Sequence, residues 1–178
     1  MDELNDADLI AKAKKGDAKA FEALVNNSYR TMFKMAFKYC GNQRDAEDIT
    51  QDACIKLARG ISGFKGDCAY TSWLYRLVIN CAKDFYKKNN RHIPQEVEVE
   101  QLATNNKVDD ALYTKQVIDA VHNLPEGEKE AVLLVHGKGL SHKEAAKALE
   151  VKESTISWRI HEARKKLSDQ FERNQQHG

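Results

Sequence analysis

The chain has 178 residues, and 28 basic residues against 27 acidic ones leave a net charge of only +1. This length suits one large or two small domains, and the balanced charge excludes a histone-like polycation that binds DNA tightly by itself. No apolar run approaches the ~20 residues of a membrane span, and the acidic start lacks the basic region and apolar core of a signal peptide. We therefore expect a cytoplasmic protein without membrane insertion.

Helical periodicity dominates the chain. Apolar residues recur mostly at intervals of three and four, and two prolines and nine glycines leave few breakers, which predicts an all-α fold. The period breaks at residues 92–108, where Pro94 is followed by alternating acids and an Asn pair. The sequence predicts two small helical domains, 1–91 and 109–178, joined by a flexible acidic linker, 92–108.

An acidic helix is predicted from about Arg44 to Arg59, with an apolar stripe that begins at Ala46. Its polar residues would occupy the rest of the helix surface: Asp45, Glu47, Asp48, Gln51 and Asp52. Acids in a first turn complement the helix dipole, and the same surface could bind a partner, so the pattern leaves both interpretations open. No histidine or second carboxylate cluster accompanies them, which argues against a metal or acid–base site.

A loop with three glycines, residues 60–68, precedes a helix predicted from about Thr71 to Asn89. Aromatic residues alternate along it with the cations Arg76, Lys83, Lys87, Lys88 and Arg91. Rings that stack on bases, at ~1–3 kcal/mol each, beside cations that follow the backbone are typical of single-strand binding. Composition alone favours the simpler alternative of a buried helix with a solvated basic face.

The second half begins with a helix predicted from about Asp110 to Leu124, and Pro125 opens another that Gly137 or Gly139 closes. Ser141 and Glu144 then have capping-box spacing and start a short helix before a tight turn. The last helix would bury Ile156, Ile160, Ala163 and Leu167 and expose Ser154, Trp158, His161 and Lys165. This pattern predicts a helix-turn-helix that reads a major groove. A packing hairpin is the alternative.

Four cysteines, Cys40, Cys54, Cys68 and Cys81, lack the close pairs of zinc sites, so we expect neither a metal nor a cofactor. Buried thiols in a reducing compartment explain them best. Cys68 lies in the glycine-rich loop, where we expect it to be exposed, and a minor redox-sensing role stays open.

The motifs, in this order, resemble extracytoplasmic-function (ECF) sigma factors of the sigma-70 superfamily, the promoter-recognition subunits of bacterial RNA polymerase. Four segments carry the resemblance: 8–24, 45–52, 73–80 and 124–167. It implies that residues 1–91 correspond to sigma region 2 and residues 109–178 to sigma region 4. It also implies a non-enzymatic protein that binds core RNA polymerase and promoter DNA and is held inactive by an anti-sigma factor.

The resemblance also implies roles for individual residues. Those that would dock on the polymerase clamp are Asp45, Glu47, Asp48, Gln51 and Asp52. Those that would recognise and melt the −10 element are Ser62, Gly63, Phe64, Lys65, Trp73, Arg76, Asn80, Lys87 and Lys88. Those that would read the −35 element are Ser154, Thr155, Ser157, Trp158, Arg159 and Arg164.

Two positions depart from the family pattern. Glu150 stands where the family often has glycine, and a left-handed conformation there costs ~1–2 kcal/mol. Glu162 stands where arginine is usual. The alternative function is a polymerase-independent helix-turn-helix regulator that binds DNA as a dimer. It would leave the acidic helix unexplained, and the sequence shows no dimerisation element.

Overall fold

The computed structural model describes residues 6–89 and 108–176, and within them it contains helices and no strands, which confirms the all-α prediction. The predicted linker, apart from Val108, lies outside the described residues. In chain order the helices are α1 (Asp6–Lys14), α2 (Ala18–Cys40), α3 (Gln43–Gly60), α4 (Tyr70–Lys88), α5 (Val108–His122), α6 (Glu126–Lys138), α7 (His142–Leu149) and α8 (Glu153–Gln176). A short 3₁₀ turn, Ile61–Gly63, follows α3.

Helices α1–α4 form the first unit, in which α2 packs against α1, α3 and α4. Its core contains Leu24, Met35, Ile49 and Val78, all completely buried. The turn between α2 and α3 is fixed locally, because Gly41 adopts a left-handed φ of 79° and the Asn42 side chain accepts a hydrogen bond from the Asp45 amide at 2.9 Å. This turn determines where the acidic helix begins.

Helices α5–α8 form the second unit, in which α8 packs on α6 and α7 over buried Leu134, Ala145 and Ile156. The predicted capping box is confirmed: the Glu144 amide donates to Ser141 Oγ at 3.2 Å, and the Ser141 amide donates to Glu144 Oε2 at 2.8 Å. Glu150 closes α7 with a φ of 55°, so this departure from the family pattern does adopt the left-handed conformation. The tight turn that it makes sets α8 across α7 as a helix-turn-helix.

The two units contact each other along α4 and α7 and, to a smaller extent, along α2 and α6. Polar and charged pairs join the units at this boundary, and apolar residues of both units also belong to one continuous core cluster. Interfaces of this kind resemble those between transient protein partners.

Candidate protein and nucleic-acid interfaces

The acidic face of α3 is exposed. Glu47, Asp48, Gln51 and Asp52 all face solvent, and Gln43 Nε2 donates a hydrogen bond of 2.8 Å to Glu47 Oε1. One turn beyond Asp52, the Ile55 side chain is 51% exposed, which is unusual for a large apolar residue. This strip has the charge and the apolar character that a protein partner could bind.

The sequence placed Asp45 on this polar surface, but in the structure its side chain is buried. Its side chain is only 6% exposed. Its Oδ2 atom accepts hydrogen bonds from the Tyr86 hydroxyl at 2.8 Å and from Asn42 Nδ2 at 3.1 Å. Burial, reinforced by neighbouring Cys40 and Asp45, raises the pKa of Tyr86, so its hydroxyl remains a donor. Asp45 thereby ties the start of α3 to the end of α4.

Three aromatic rings form a cluster between the loop and α4. The centroid of Phe64 lies 5.8 Å from that of Tyr70 and 5.4 Å from that of Trp73, and Tyr70 stacks on Trp73 at 6.1 Å. The Tyr70 hydroxyl and Ser28 Oγ are 3.0 Å apart, and Lys14 Nζ donates to the Phe64 carbonyl at 2.6 Å. Phe64 is therefore half-buried.

A cleft of about 390 Å³ lies beside this cluster and is lined by loop residues 63–68, by Trp73 and Arg76, and by Lys147 and Glu150 of the second unit. Gly63, Phe64 and Lys65 of the predicted loop set line it, whereas Ser62 does not. Ring faces, a cation and exposed backbone give this cleft the chemistry of a base-binding site.

A larger groove of about 740 Å³ follows α4. Trp73, Arg76, Asn80 and Lys87 line it together, because intervals of three, four and seven place them on one face. Lys88 points elsewhere and lines a separate groove between α3 and α4.

Two cations of the α4 groove were missing from the predicted −10 set, Lys56 and Lys83. Lys83 could have been placed there, since it continues the same three-and-four spacing. Lys56 comes from α3, and only the folded structure reveals its position. Its Nζ lies 2.6 Å from Asp84 Oδ2.

The outward face of α8 carries the predicted DNA-reading residues in unequal positions. Trp158 is 59% exposed, and Ser154 and Arg164 are also exposed. Ser157 Oγ donates to the Glu153 carbonyl at 3.2 Å and lies 2.9 Å from His142 Nδ1. Thr155 and Arg159 are half-buried.

The guanidinium of Arg159 lies directly over Gly127 of α6, where an added Cβ would come within 2.8 Å of it. The outward face of α8 therefore presents an indole, hydroxyl groups and a cation. The Arg159 side chain instead lies against α6.

All four cysteines are free thiols, and two of them, Cys40 and Cys81, are buried. Burial raises the pKa of Cys40 and of Cys81 to about 11, so both thiols stay protonated at neutral pH. Cys68 is half-buried rather than fully exposed. No helix within residues 6–89 and 108–176 is long and apolar enough to cross a bilayer.

Comparison with known proteins identifies both units. Sigma-70 region 2 matches residues 24–92, and Sigma-70, region 4 matches residues 114–167. The chain is 32% identical to the ECF RNA polymerase sigma factor SigM of Mycobacterium tuberculosis, over 93% of this chain and 84% of the relative. It is 29% identical to the ECF RNA polymerase sigma-E factor of Haemophilus influenzae, over 96% of this chain and 97% of the relative.

Solved structures agree with this assignment. The structure of CnrH in complex with the cytosolic domain of CnrY has a TM-score of 0.69 at 25% identity, over 94% of this chain and 97% of that chain. The sigma factor RpoE of Bartonella quintana, solved with the anti-sigma factor NepR, shares the fold with a TM-score of 0.66 at 20% identity, over 87% of this chain and 98% of that chain. The helices, the paired regions and the relatives together define a promoter-recognition subunit of the sigma-70 superfamily. The chain belongs to its ECF family of RNA polymerase sigma factors.

Proposed function

We propose that this sigma factor binds core RNA polymerase through the exposed face of α3, melts the −10 element against α4 and reads the −35 element with α8. Residues 1–91 act as region 2, residues 109–178 act as region 4, and residues 92–108 connect them. The observation that carries the proposal is that one chain holds three separate surfaces, one acidic, one basic and aromatic, and one on a helix-turn-helix. The protein performs this role without an enzymatic step of its own.

Docking on polymerase uses the four exposed polar residues of α3, Glu47, Asp48, Gln51 and Asp52. Their carboxylates complement a basic helical surface, and exposed Ile55 adds an apolar contact at the end of the strip. Asp45 supports this face from beneath through its bonds to Asn42 and Tyr86.

Melting uses the cleft and the groove beside α4. Gly63, Phe64 and Lys65 border the cleft that receives a flipped base, and Ser62, which precedes them in the chain, is exposed. Trp73 stacks on the opened strand, while Arg76, Asn80 and Lys87 follow its backbone. Lys88 lies on the neighbouring face and contributes long-range attraction for phosphate rather than a direct contact.

Reading of the −35 element uses the exposed side of α8. Ser154, Ser157 and Trp158 face the groove, and Arg164 lies two turns further along, where it can reach the DNA backbone. Thr155 and Arg159 border this surface and orient it. Sequence-specific contacts come from the first two turns of the helix.

An anti-sigma factor is the expected inhibitor. The similar RpoE is known in complex with the anti-sigma factor NepR. We infer a partner of the same class for this chain, acting in the cytoplasm, where the polymerase transcribes.

Transcription with purified core polymerase tests the proposal directly. The full chain is added to core enzyme on a library of randomised promoters, and abortive products are sequenced. Selective initiation at two spaced sequence elements is expected. DNA binding without core enzyme, combined with no initiation in its presence, would instead identify a polymerase-independent regulator.

A further inference from the structure

Three carboxylates of the second unit form ion pairs with cations that line the α4 groove. Lys83 Nζ is 2.7 Å from Glu126 Oε1 and 2.8 Å from Glu130 Oε1. Arg76 forms an ion pair with Glu150. Arg76 is one of the groups that the proposed function assigns to the strand backbone, and Lys83 lines the same groove. The carboxylates therefore occupy positions that phosphates of an opened strand would take.

The second unit also narrows the space that the strand would enter. Glu126 forms part of the wall of the α4 groove. Lys147 of α7 and Glu150 in the turn after it form one side of the base-binding cleft. A strand that followed the groove into the cleft would meet Glu126, Lys147 and Glu150 on its path.

One buried cation at the contact between the units opposes this closed arrangement. Lys129 is only 2% exposed, its Nζ lies 4.3 Å from the centroid of the Tyr39 ring, and it has no hydrogen-bond partner within the described residues. A buried cation without an oxygen partner opposes closure, because desolvation costs more than a ring face returns. Lys38 Nζ donates to the Gly137 carbonyl at 3.2 Å, and Lys138 Nζ lies 5.3 Å from the Tyr75 ring centroid.

We propose that the second unit of this sigma factor is a built-in competitor of the promoter strand. Glu126, Glu130 and Glu150 imitate strand phosphates on Lys83 and Arg76 and hold the free chain closed over its melting surface. The inference rests on the strand-binding role of α4 in the proposed function. Its consequence is that the two units separate before single-stranded DNA can bind, so the free chain has little affinity for it.

A charge-neutralised full-length variant tests this proposal. Glu126→Gln, Glu130→Gln and Glu150→Gln together keep side-chain size and remove the three competing charges. The probe is fluorescent single-stranded DNA about 12 nucleotides long with randomised A/T-rich sequence, followed by anisotropy at low salt. We expect the variant to bind about tenfold more tightly than the unmodified protein.

A matched control separates competition from a general change in net charge. Glu22→Gln, Asp169→Asn and Glu172→Gln remove three exposed charges that lie outside the contact between the units. This control should gain no more than about threefold in affinity, through long-range attraction alone. Equal gains in the two triple variants, or no gain in the first, would overturn the proposal.

Small-angle scattering without DNA distinguishes failure of this inference from failure of the proposed function. The charge-neutralised variant should show a larger radius of gyration than the unmodified protein and the control. An unchanged radius would overturn closure by these carboxylates. A variant that opens but gains no DNA affinity would support closure and overturn the strand-binding role of α4.

Glu150→Gln alone covers the case in which the triple variant does not fold, since the Glu150 side chain is 72% exposed. It should show the same changes in affinity and radius, only smaller. Their absence in a folded single variant would also count against the proposal.

Discussion

Asp45 shows how one side chain can be misplaced by a helical pattern. Its neighbours Glu47 and Asp48 are exposed, as an acidic first turn suggests. Its own position is decided by Tyr86, which lies 41 residues away in the sequence and donates to its carboxylate at 2.8 Å. Periodicity places residues on one helix, but it contains no information on which distant donor will be packed against them.

Tyr86→Phe should destabilise the first unit by about 1–2 kcal/mol, because a buried carboxylate loses one hydrogen bond while the ring is retained. Urea unfolding followed by circular dichroism measures the change. Tyr29→Phe is the control, since Tyr29 is 42% exposed and its loss of a hydroxyl should cost almost nothing. Equal stability of the two variants would show that the Tyr86–Asp45 bond contributes little.

The bounds of the individual helices could be predicted from the sequence more accurately than the partners of individual side chains. The acidic helix predicted from Arg44 to Arg59 is Gln43–Gly60, and the one predicted from Thr71 to Asn89 is Tyr70–Lys88. Local signals such as the Ser141–Glu144 capping box determine these ends. Pro125 lies just before α6 as its N-cap, rather than within its first turn.

The backbone of the turn between α7 and α8 is strained at Glu150, and a substitution there should relieve the strain. Glu150→Gly removes the left-handed penalty at a φ of 55°, and Glu150→Ala retains it, while both lose the ion pair with Arg76. The glycine variant should be more stable than the alanine variant by about 1 kcal/mol in urea unfolding. Glycine no more stable than alanine would mean that the turn is unstrained.

The exposed face of α3 is expected to act as a docking helix. Asp48→Lys reverses a charge that faces solvent, so the fold should be retained while affinity for core polymerase falls at least about tenfold. Competition against labelled unmodified protein measures the affinity. Asp169→Lys makes the same charge change on exposed α8 and should leave the affinity unchanged, so equal losses in the two variants would exclude a specific docking role for Asp48.

The outward face of α8 should be separable from polymerase binding. Trp158→Ala removes an indole that is 59% exposed and should weaken −35 recognition by about 1–3 kcal/mol without altering affinity for core enzyme. Transcription from matched and mutated −35 elements measures this discrimination. Tyr29→Ala removes another exposed ring and serves as the control. Full discrimination in the Trp158 variant would remove that residue from the reading surface.

The arrangement of the two units could not be predicted from the sequence. The pairs Arg76–Glu150 and Lys83–Glu126 join residues that are far apart in the chain, and no local period signals them. The small net charge of the chain gives no sign that cations of α4 form ion pairs with carboxylates of α6 and of the turn after α7. Fold class and candidate surfaces therefore follow from local patterns, whereas the covering of one surface by the other follows only from tertiary structure.

Lys129 should make the unfolding free energy of the protein depend on pH. Burial lowers its pKa from 10.5 to about 8, although Cys40, Glu130 and Glu126 act in the opposite direction. The closed protein therefore binds fewer protons than the unfolded chain above pH 8, and its stability rises there with pH. Cys40, whose pKa rises from 9.0 to about 11 on burial, opposes this trend above pH 9, as does Tyr39 above pH 10.

Lys129→Met isolates this effect, because the other titrating groups are shared. Between pH 8 and pH 9 the unmodified protein should gain about 1 kcal/mol of unfolding free energy relative to the variant. At pH 7 the variant should be the more stable of the two. Parallel stability curves for the two proteins would show that Lys129 stays charged from pH 8 to pH 9 in the folded protein, so that burial does not lower its pKa.

Gly127 lies in α6, outside the proposed DNA-reading face of α8, but a side chain at this position would affect that face. A methyl group there would displace the Arg159 guanidinium, which is the end of a flexible side chain and can move at little cost. We expect the displaced cation to turn towards the outward face of α8, which the proposed function assigns to the −35 element. A single change in α6 can thus alter how many charges the protein presents to a promoter, which lets promoter preference drift while every residue of the reading helix stays the same.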